Sequence, residues 1–130
     1  MNPRTFLSTG ILVSALTFGA AACGSDGEPT AAASSDDPVL TLGAEVYQQG
    51  CASCHGADLR GTDKGPSHLS IVYEPNHHSD DSFRSAIANG APQHHWPFGD
   101  MPAVEGLSAE EVEAVIAFIR SEQQRLGFEQ

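Results

Sequence analysis

Two cysteines and a histidine lie within five residues of each other, in the order Cys51-Ala52-Ser53-Cys54-His55. This spacing is typical of covalent haem attachment, because the thiols can form thioethers with the haem vinyl groups and the adjacent imidazole can bind the iron. The alternatives are a redox-active disulfide pair and half of a zinc site. A redox pair normally lies in a strand-and-helix fold, and zinc needs further closely spaced ligands. We therefore predict one covalently bound haem, attached at Cys51 and Cys54, with His55 as an axial ligand.

The second axial ligand can be argued by elimination. The sequence has two methionines, and Met1 lies in a segment that we expect to be removed, so Met101 is the only thioether of the mature chain. A methionine in a loop is usually a packing residue. Its loop, Gly99-Asp100-Met101-Pro102, follows the haem motif and directly precedes the last predicted helix. This position predicts that Met101 binds the iron.

Five more histidines lie between Pro66 and Met101: His68, His77, His78, His94 and His95. Our main interpretation is that they are loop and surface side chains, or hydrogen-bond partners of the haem propionates and the backbone. Two other interpretations remain open. One is that His94 or His95 replaces Met101 on the iron in some state, and the other is that the pairs bind copper or zinc. Adjacent histidines on a regular element point in different directions, so a pair rarely chelates a metal unaided.

The first 22 residues have the layout of a secretory signal, with a positive start up to Arg4 and an apolar stretch that ends in small residues. The junction Ala20-Ala21-Ala22-Cys23-Gly24 resembles a bacterial lipobox, although leucine is usual where Ala20 stands. A plain signal peptide or an uncleaved anchor are the alternatives. Lipid on Cys23 would also account for the odd third cysteine of an exported protein. We expect a lipoprotein anchored on the extracytoplasmic side of the cell membrane, since two acyl chains give stable anchoring.

The rest of the chain divides into a tether and one domain. Residues 23–38 contain no large apolar residue, which predicts a flexible tether, and residues 39–130 form the domain. Apolar spacing predicts helices over about Thr41–Gln49, Asp81–Asn89 and Ala109–Arg125. A capping box from Ser108 to Glu111 marks the start of the last helix. So few ordered residues make a small core, which a buried haem would enlarge.

Charge restricts the partners. Without the signal segment the chain keeps 17 acidic and five basic side chains, a net charge of minus 12. This charge argues against binding to nucleic acid or to anionic lipid surfaces. It predicts that redox partner proteins dock through a basic patch.

Four segments together resemble the class I cytochrome c family, near the single-haem domains associated with respiratory oxidases. They are residues 47–56, Gly65-Pro66, Met101-Pro102 and residues 107–111, and the resemblance covers about residues 42–125. It implies an all-α fold of three to four helices around one covalent haem, which lies between the first and last helices. It also implies that the Pro66 carbonyl accepts a hydrogen bond from the His55 ring and that Leu69 packs on the haem.

The expected function is electron transfer. Two protein ligands leave no open position on the iron, which favours a carrier of single electrons between respiratory-chain partners over an enzyme. We expect a monomer or a subunit of a respiratory complex. Two rival hypotheses remain: a small-ligand sensor or peroxidase-like enzyme in which Met101 is labile, and a copper-handling lipoprotein that uses the His-rich loops.

Overall fold

The computed structural model describes residues 37–130; the predicted signal segment, Cys23 and nearly all of the tether lie outside the described residues. Four α-helices occur in this part of the chain: α1 Pro38–Gly50, α2 Ala52–His55, α3 Asp80–Asn89 and α4 Ala109–Leu126. A 3₁₀ turn covers Ile71–Tyr73. Within residues 37–130 extended pairing is limited to two isolated bridges, Ser70 with Glu129 and Ala91 with Met101. The fold is all-α, as the sequence predicts.

The helix ends follow local capping chemistry. α1 begins three residues before its predicted start, because the Asp37 carboxylate accepts a hydrogen bond from the Val39 backbone N–H at 2.9 Å and Pro38 occupies the first turn. Pro38, expected in the tether, is therefore the first residue of α1. α3 and α4 differ from their predicted limits by one residue each.

The predicted capping box is present at the start of α4. The Ser108 hydroxyl accepts from the Glu111 backbone N–H at 3.2 Å, and the Glu111 carboxylate accepts from the Ser108 backbone N–H at 2.8 Å. These two contacts satisfy backbone donors that the first turn of a helix leaves free. Within residues 37–130, no helix combines the length and the apolar character that crossing a bilayer would need.

The core is built on the pairing of α1 with α4. Gly43 lets the helices approach closely, since a Cβ atom at this position would lie 2.1 Å from the Ala114 carbonyl oxygen. The buried apolar side chains form one cluster: Val46, Tyr47, Leu59, Leu69, Phe83, Ile87, Val115, Ile116 and Ile119. α3 packs on α4, and α2 continues directly from α1, so the haem motif lies beside this core.

Candidate haem site

Three hydrogen bonds fix the end of the haem motif in place. The Tyr47 hydroxyl donates to the Gly56 carbonyl at 3.0 Å, the Thr62 hydroxyl donates to the Cys54 carbonyl at 2.7 Å, and a backbone N–H of the following loop donates to the His55 carbonyl at 2.8 Å. The last carbonyls of a helix have no partner within the helix, and here the neighbouring structure supplies them. Tyr47 and Thr62 are positioning residues that the sequence pattern did not identify as such.

His55 is oriented as a ligand. Its side chain is buried, and Nδ1 lies 3.0 Å from the Pro66 carbonyl oxygen, which is the contact expected from the family resemblance. A carbonyl oxygen only accepts, so Nδ1 carries the proton and Nε2 keeps its lone pair for a metal. Burial lowers the pKa of His55, against the opposing effect of the Pro66 hydrogen bond. The neutral, metal-binding form of the ring is therefore favoured.

The two thiols of the motif are free and half-buried. Burial, together with the neighbouring Cys54 thiol, raises the pKa of Cys51 to about 11. A redox-active or nucleophilic cysteine normally has a lowered pKa, because the thiolate is the reactive form. The surroundings of Cys51 therefore disfavour the alternative of a redox disulfide pair.

A cavity of about 680 Å³ opens beside the motif. Its walls include both thiols, the His55 ring, Pro66 and Met101, which are five of the six residues predicted to bind the cofactor. Apolar side chains from α3 and α4 complete the walls: Phe83, Ala86, Ile87, Val115 and Ile119. The chain thus brings one imidazole, one thioether and two thiols to one largely apolar space.

Met101 is held by main-chain pairing in the loop that precedes α4. Its backbone N–H donates to the Ala91 carbonyl at 2.8 Å, and its carbonyl accepts from the Ala91 N–H at 3.0 Å. Because Gly90 adopts a positive φ of 76° and its α-carbon faces the Met101 carbonyl, the turn after α3 closes tightly on this loop. The segment that presents Met101 is therefore attached to the end of α3.

Leu69 differs from the other predicted cofactor residues. It is fully buried in the core cluster and is not among the residues that line the cavity. Its carbonyl accepts a hydrogen bond from the Glu129 backbone N–H at 2.6 Å, which ties it to the C-terminal segment. In this structure Leu69 packs inside the core cluster and not on the cavity wall. Its expected contact with the haem stays a prediction.

His68 corrects our main interpretation of the extra histidines as loop and surface side chains. It is 6% exposed, and its ring stacks on His55 with 4.1 Å between centroids. Burial lowers its pKa well below the usual range, and the neighbouring His55 lowers it further. His68 is therefore a neutral core residue that packs against the predicted axial ligand, and its Nδ1 has no hydrogen-bond partner.

The other four histidines form a cluster at the cavity. Nε2 of His77 lies 3.2 Å from Nε2 of His95, and Nε2 of His78 lies 3.3 Å from Nε2 of His94. His78, His94 and His95 also line the cavity. Partial desolvation and then the adjacent histidines lower the pKa of the exposed His95, and desolvation by burial is the main cause of the lowered pKa of the half-buried His78. These contacts connect histidines that are distant in the sequence. The sequence analysis considered only adjacent histidines and did not predict them.

The donor set of the cavity fits a covalently bound haem. Two protonated thiols can supply the thioethers, the neutral ring of His55 and the thioether of Met101 are both ligands of haem iron, and the apolar walls would cover the macrocycle. Together with an all-α fold, these features define a single-haem c-type domain.

Comparison with known proteins gives the family. The chain belongs to the cytochrome c family: the model described as cytochrome c matches residues 40–123. The chain is also 36% identical over 106 residues to cytochrome c-551 of Bacillus subtilis (strain 168). This aligned region covers 79% of this chain and 83% of the relative. No solved structure matches it significantly. The cofactor is therefore haem c, as the sequence predicts, and the protein is a single-haem cytochrome.

Proposed function

We propose that this protein is an extracytoplasmic electron carrier whose haem iron is bound by His55 and Met101, and that lipid on Cys23 holds it at the cell membrane. The observation that supports the proposal is the shared cavity, which collects the attachment thiols, a pre-oriented imidazole and the only thioether of residues 37–130. The haem supplies reversible one-electron chemistry between ferric and ferrous iron.

The residues of the site have separate roles in this proposal. Cys51 and Cys54 keep the cofactor attached in an open extracytoplasmic space, and the Pro66 carbonyl keeps His55 in the tautomer that binds iron. Met101 favours ferrous over ferric iron, because a soft thioether raises the potential. With His55 and Met101 both on the iron, the site would leave no position for a substrate, and the haem would supply one-electron transfer without bond formation. The protein is then a carrier and not an enzyme.

Surface charge supports docking to a basic partner protein. Within residues 37–130 each arginine is paired with a carboxylate, in the contacts Arg60–Glu129, Arg84–Glu113, Arg120–Asp80 and Arg125–Glu122. Most of the remaining charge is therefore negative. Such a surface attracts a basic patch over several ångströms and repels nucleic acid, and the attraction weakens as salt increases. The association rate with a respiratory partner should fall steeply with ionic strength, and a salt-independent rate would contradict this proposal.

The anchor has a physical purpose in this proposal. A tether of about fifteen residues, if flexible as the sequence predicts, would span roughly 2 nm on average, so the domain would stay within a short distance of the membrane surface. Restriction to this layer raises the effective concentration of membrane-bound partners. A Cys23→Ser variant should be released from the membrane fraction and should still carry its haem. Retention of the variant at the membrane would refute anchoring through this residue.

The iron ligands can be tested by optical spectroscopy of the ferric protein, produced in a host that attaches haem. Sulfur ligation gives a weak red charge-transfer band, which we expect in the native protein and expect to disappear in Met101→Leu. The double variant His94→Ala/His95→Ala serves as the control and should keep the band. Persistence of the band in Met101→Leu would contradict ligation of the iron by Met101.

A native protein that carries haem but lacks the band would favour the sensor or peroxidase-like hypothesis. Carbon monoxide binding to the ferrous form would then show an exchangeable position. Absence of carbon monoxide binding, together with the red band, supports the carrier.

A further inference from the structure

Two pairs of histidines from different parts of the chain meet at the cavity. His77 and His78 lie between the 3₁₀ turn and α3, and His94 and His95 follow α3. One ring nitrogen from each of His77, His78 and His95 lies within 4.8 Å of the other two. His94 adds a fourth ring through its 3.3 Å contact with His78. Four imidazoles therefore converge from two loops, and the predicted iron ligands His55 and Met101 are not among them.

The hydrogen bonds of this set leave two ring nitrogens facing each other without a proton between them. Nδ1 of His78 lies 2.8 Å from the Val72 carbonyl oxygen, and Nδ1 of His94 lies 2.7 Å from the Pro92 carbonyl oxygen. Carbonyl oxygens only accept, so both Nδ1 atoms carry protons, and in the neutral rings both Nε2 atoms are unprotonated. Two unprotonated nitrogens then lie 3.3 Å apart with no hydrogen to share. A metal ion or an added proton would remove this conflict.

The distances fit a metal ion. Zinc binds histidine nitrogens at about 2.0–2.1 Å in tetrahedral geometry, which places two ligand nitrogens roughly 3.3–3.4 Å apart. The contacts observed are 3.2 Å for His77 with His95 and 3.3 Å for His78 with His94. Metal-binding histidines also commonly donate their other ring N–H to a backbone carbonyl, as His78 and His94 do here. His77, His94 and His95 are exposed and His78 is half-buried, so three of the four rings lie at the surface, where they can turn toward one ion.

The loop that carries the first pair is fixed independently of the histidines. The Arg120 side chain on α4 donates to the Tyr73 carbonyl at 2.7 Å and to the His78 carbonyl, and it pairs with the Asp80 carboxylate at 2.8 Å. The Trp96 ring, next to the second pair, stacks on the Tyr73 ring at 6.0 Å between centroids. The site is therefore partly formed before any ion binds, which lowers the ordering cost of binding.

We propose that His77, His78, His94 and His95 bind one divalent first-row transition-metal ion that prefers imidazole, such as Zn²⁺ or Cu²⁺, at a site separate from the haem iron. Imidazole is a common ligand for both ions. The proposed site uses neither His55 nor Met101, so it can be tested separately from the proposed electron-carrier function.

The test is a calorimetric titration of the haem-loaded protein, made without a polyhistidine tag, with ZnCl₂ in a buffer that does not bind metals. We expect one Zn²⁺ per haem, and at least a tenfold loss of affinity in His77→Ala/His95→Ala. Asn76→Ala is the matched control, because it changes an exposed neighbour of His77 that cannot bind the ion through imidazole, and it should bind normally. The Cu²⁺ form of the native protein should show electron paramagnetic resonance splitting from several nitrogens.

Three results would overturn the proposal. One is equal Zn²⁺ binding by the native protein and the double variant, which would assign binding to surface carboxylates. Another is the absence of stoichiometric Zn²⁺ binding. A proton shared between the facing ring nitrogens would then be the remaining explanation of their short distance. The third is loss of the red iron-sulfur band on metal loading, which would show that the metal site is not separate from the iron ligands. If the double variant loses haem or helical content, His95→Ala alone provides the comparison, because this side chain is exposed in a loop.

Discussion

The close approach of α1 to α4 at Gly43 can be tested by Gly43→Ala. A Cβ atom on Gly43 would lie 2.1 Å from the Ala114 carbonyl oxygen, 2.6 Å from the Ala114 carbonyl carbon and 2.7 Å from the Phe118 Cβ atom. Two of these atoms belong to the backbone of α4, so a change of side-chain rotamer cannot relieve the overlap. The helices would have to move apart.

The size of the effect follows from the overlap. An ordinary carbon-to-oxygen contact is about 3.3 Å, so the new Cβ requires a separation of roughly 1.2 Å. Overpacking costs about 1–3 kcal/mol, and contact with rigid backbone puts this case near 3 kcal/mol. Alanine offsets about 1 kcal/mol through its higher helix propensity. The free energy of unfolding should therefore fall by about 2 kcal/mol, which for a domain of under a hundred residues lowers Tm by roughly 8–16 °C.

The assay is thermal and guanidinium unfolding of the haem-loaded protein, followed by circular dichroism. Gly50→Ala is the matched control in the same helix, since a Cβ atom there meets only Val104, at 3.8 Å. We expect the control to be as stable as the native protein, or more stable by up to about 1 kcal/mol. Equal stability of Gly43→Ala and Gly50→Ala would refute the close packing of α1 on α4.

Two further predictions concern α4. Gln123→Ala should lower the free energy of unfolding by about 1–3 kcal/mol, because this side chain is 2% exposed and donates a hydrogen bond to the His68 carbonyl at 2.7 Å. The control is Gln124→Ala, at an exposed position. It should change the free energy of unfolding little in the same guanidinium titration. Ser108→Ala should cost about 1 kcal/mol through the lost cap. The Ser108 hydrogen bonds lower the pKa of Glu111, so the stability they add is present above the ordinary glutamate pKa and is lost as pH falls through the lowered one. Of the two hydrogen bonds to the Glu111 carboxylate, alanine keeps the one from the backbone N–H and loses only the one from the hydroxyl. The hydroxyl's share of the difference should therefore shrink in acid, and a difference independent of pH would contradict this reasoning.

Local signals explain what could be predicted from the sequence. The apolar spacing of α4 and its capping box lie within a few residues of each other, and both appear in the structure at the expected positions. The haem motif is equally local, because its chemistry lies within one helical turn. Apolar spacing could not show the start of α1, because the helix is capped by the polar residue Asp37 and the apolar residues begin further along the chain.

Contacts between distant segments explain what could not be predicted. The histidines that meet in the cluster are 16 and 18 residues apart, with α3 between them, and no periodicity in the sequence relates their positions. His68 resembles the other loop histidines in its sequence surroundings, yet the turn after Pro66 directs it into the core against His55. Whether a histidine is exposed, buried or clustered depends on how the loops return to the helices.

The cavity and the core share residues, which links the cofactor to folding. Phe83 and Ile87 of α3, and Val115 and Ile119 of α4, belong to the hydrophobic cluster and also line the cavity. α3 contacts α4 but has no comparable contact with α1 or α2 among the described residues, so one side of α3 faces the cavity instead of another helix. A domain of this size buries too little apolar surface to be robust without a further buried group. Haem c held in this cavity would therefore complete the packing of the cavity-facing side of α3 as well as carry the electron.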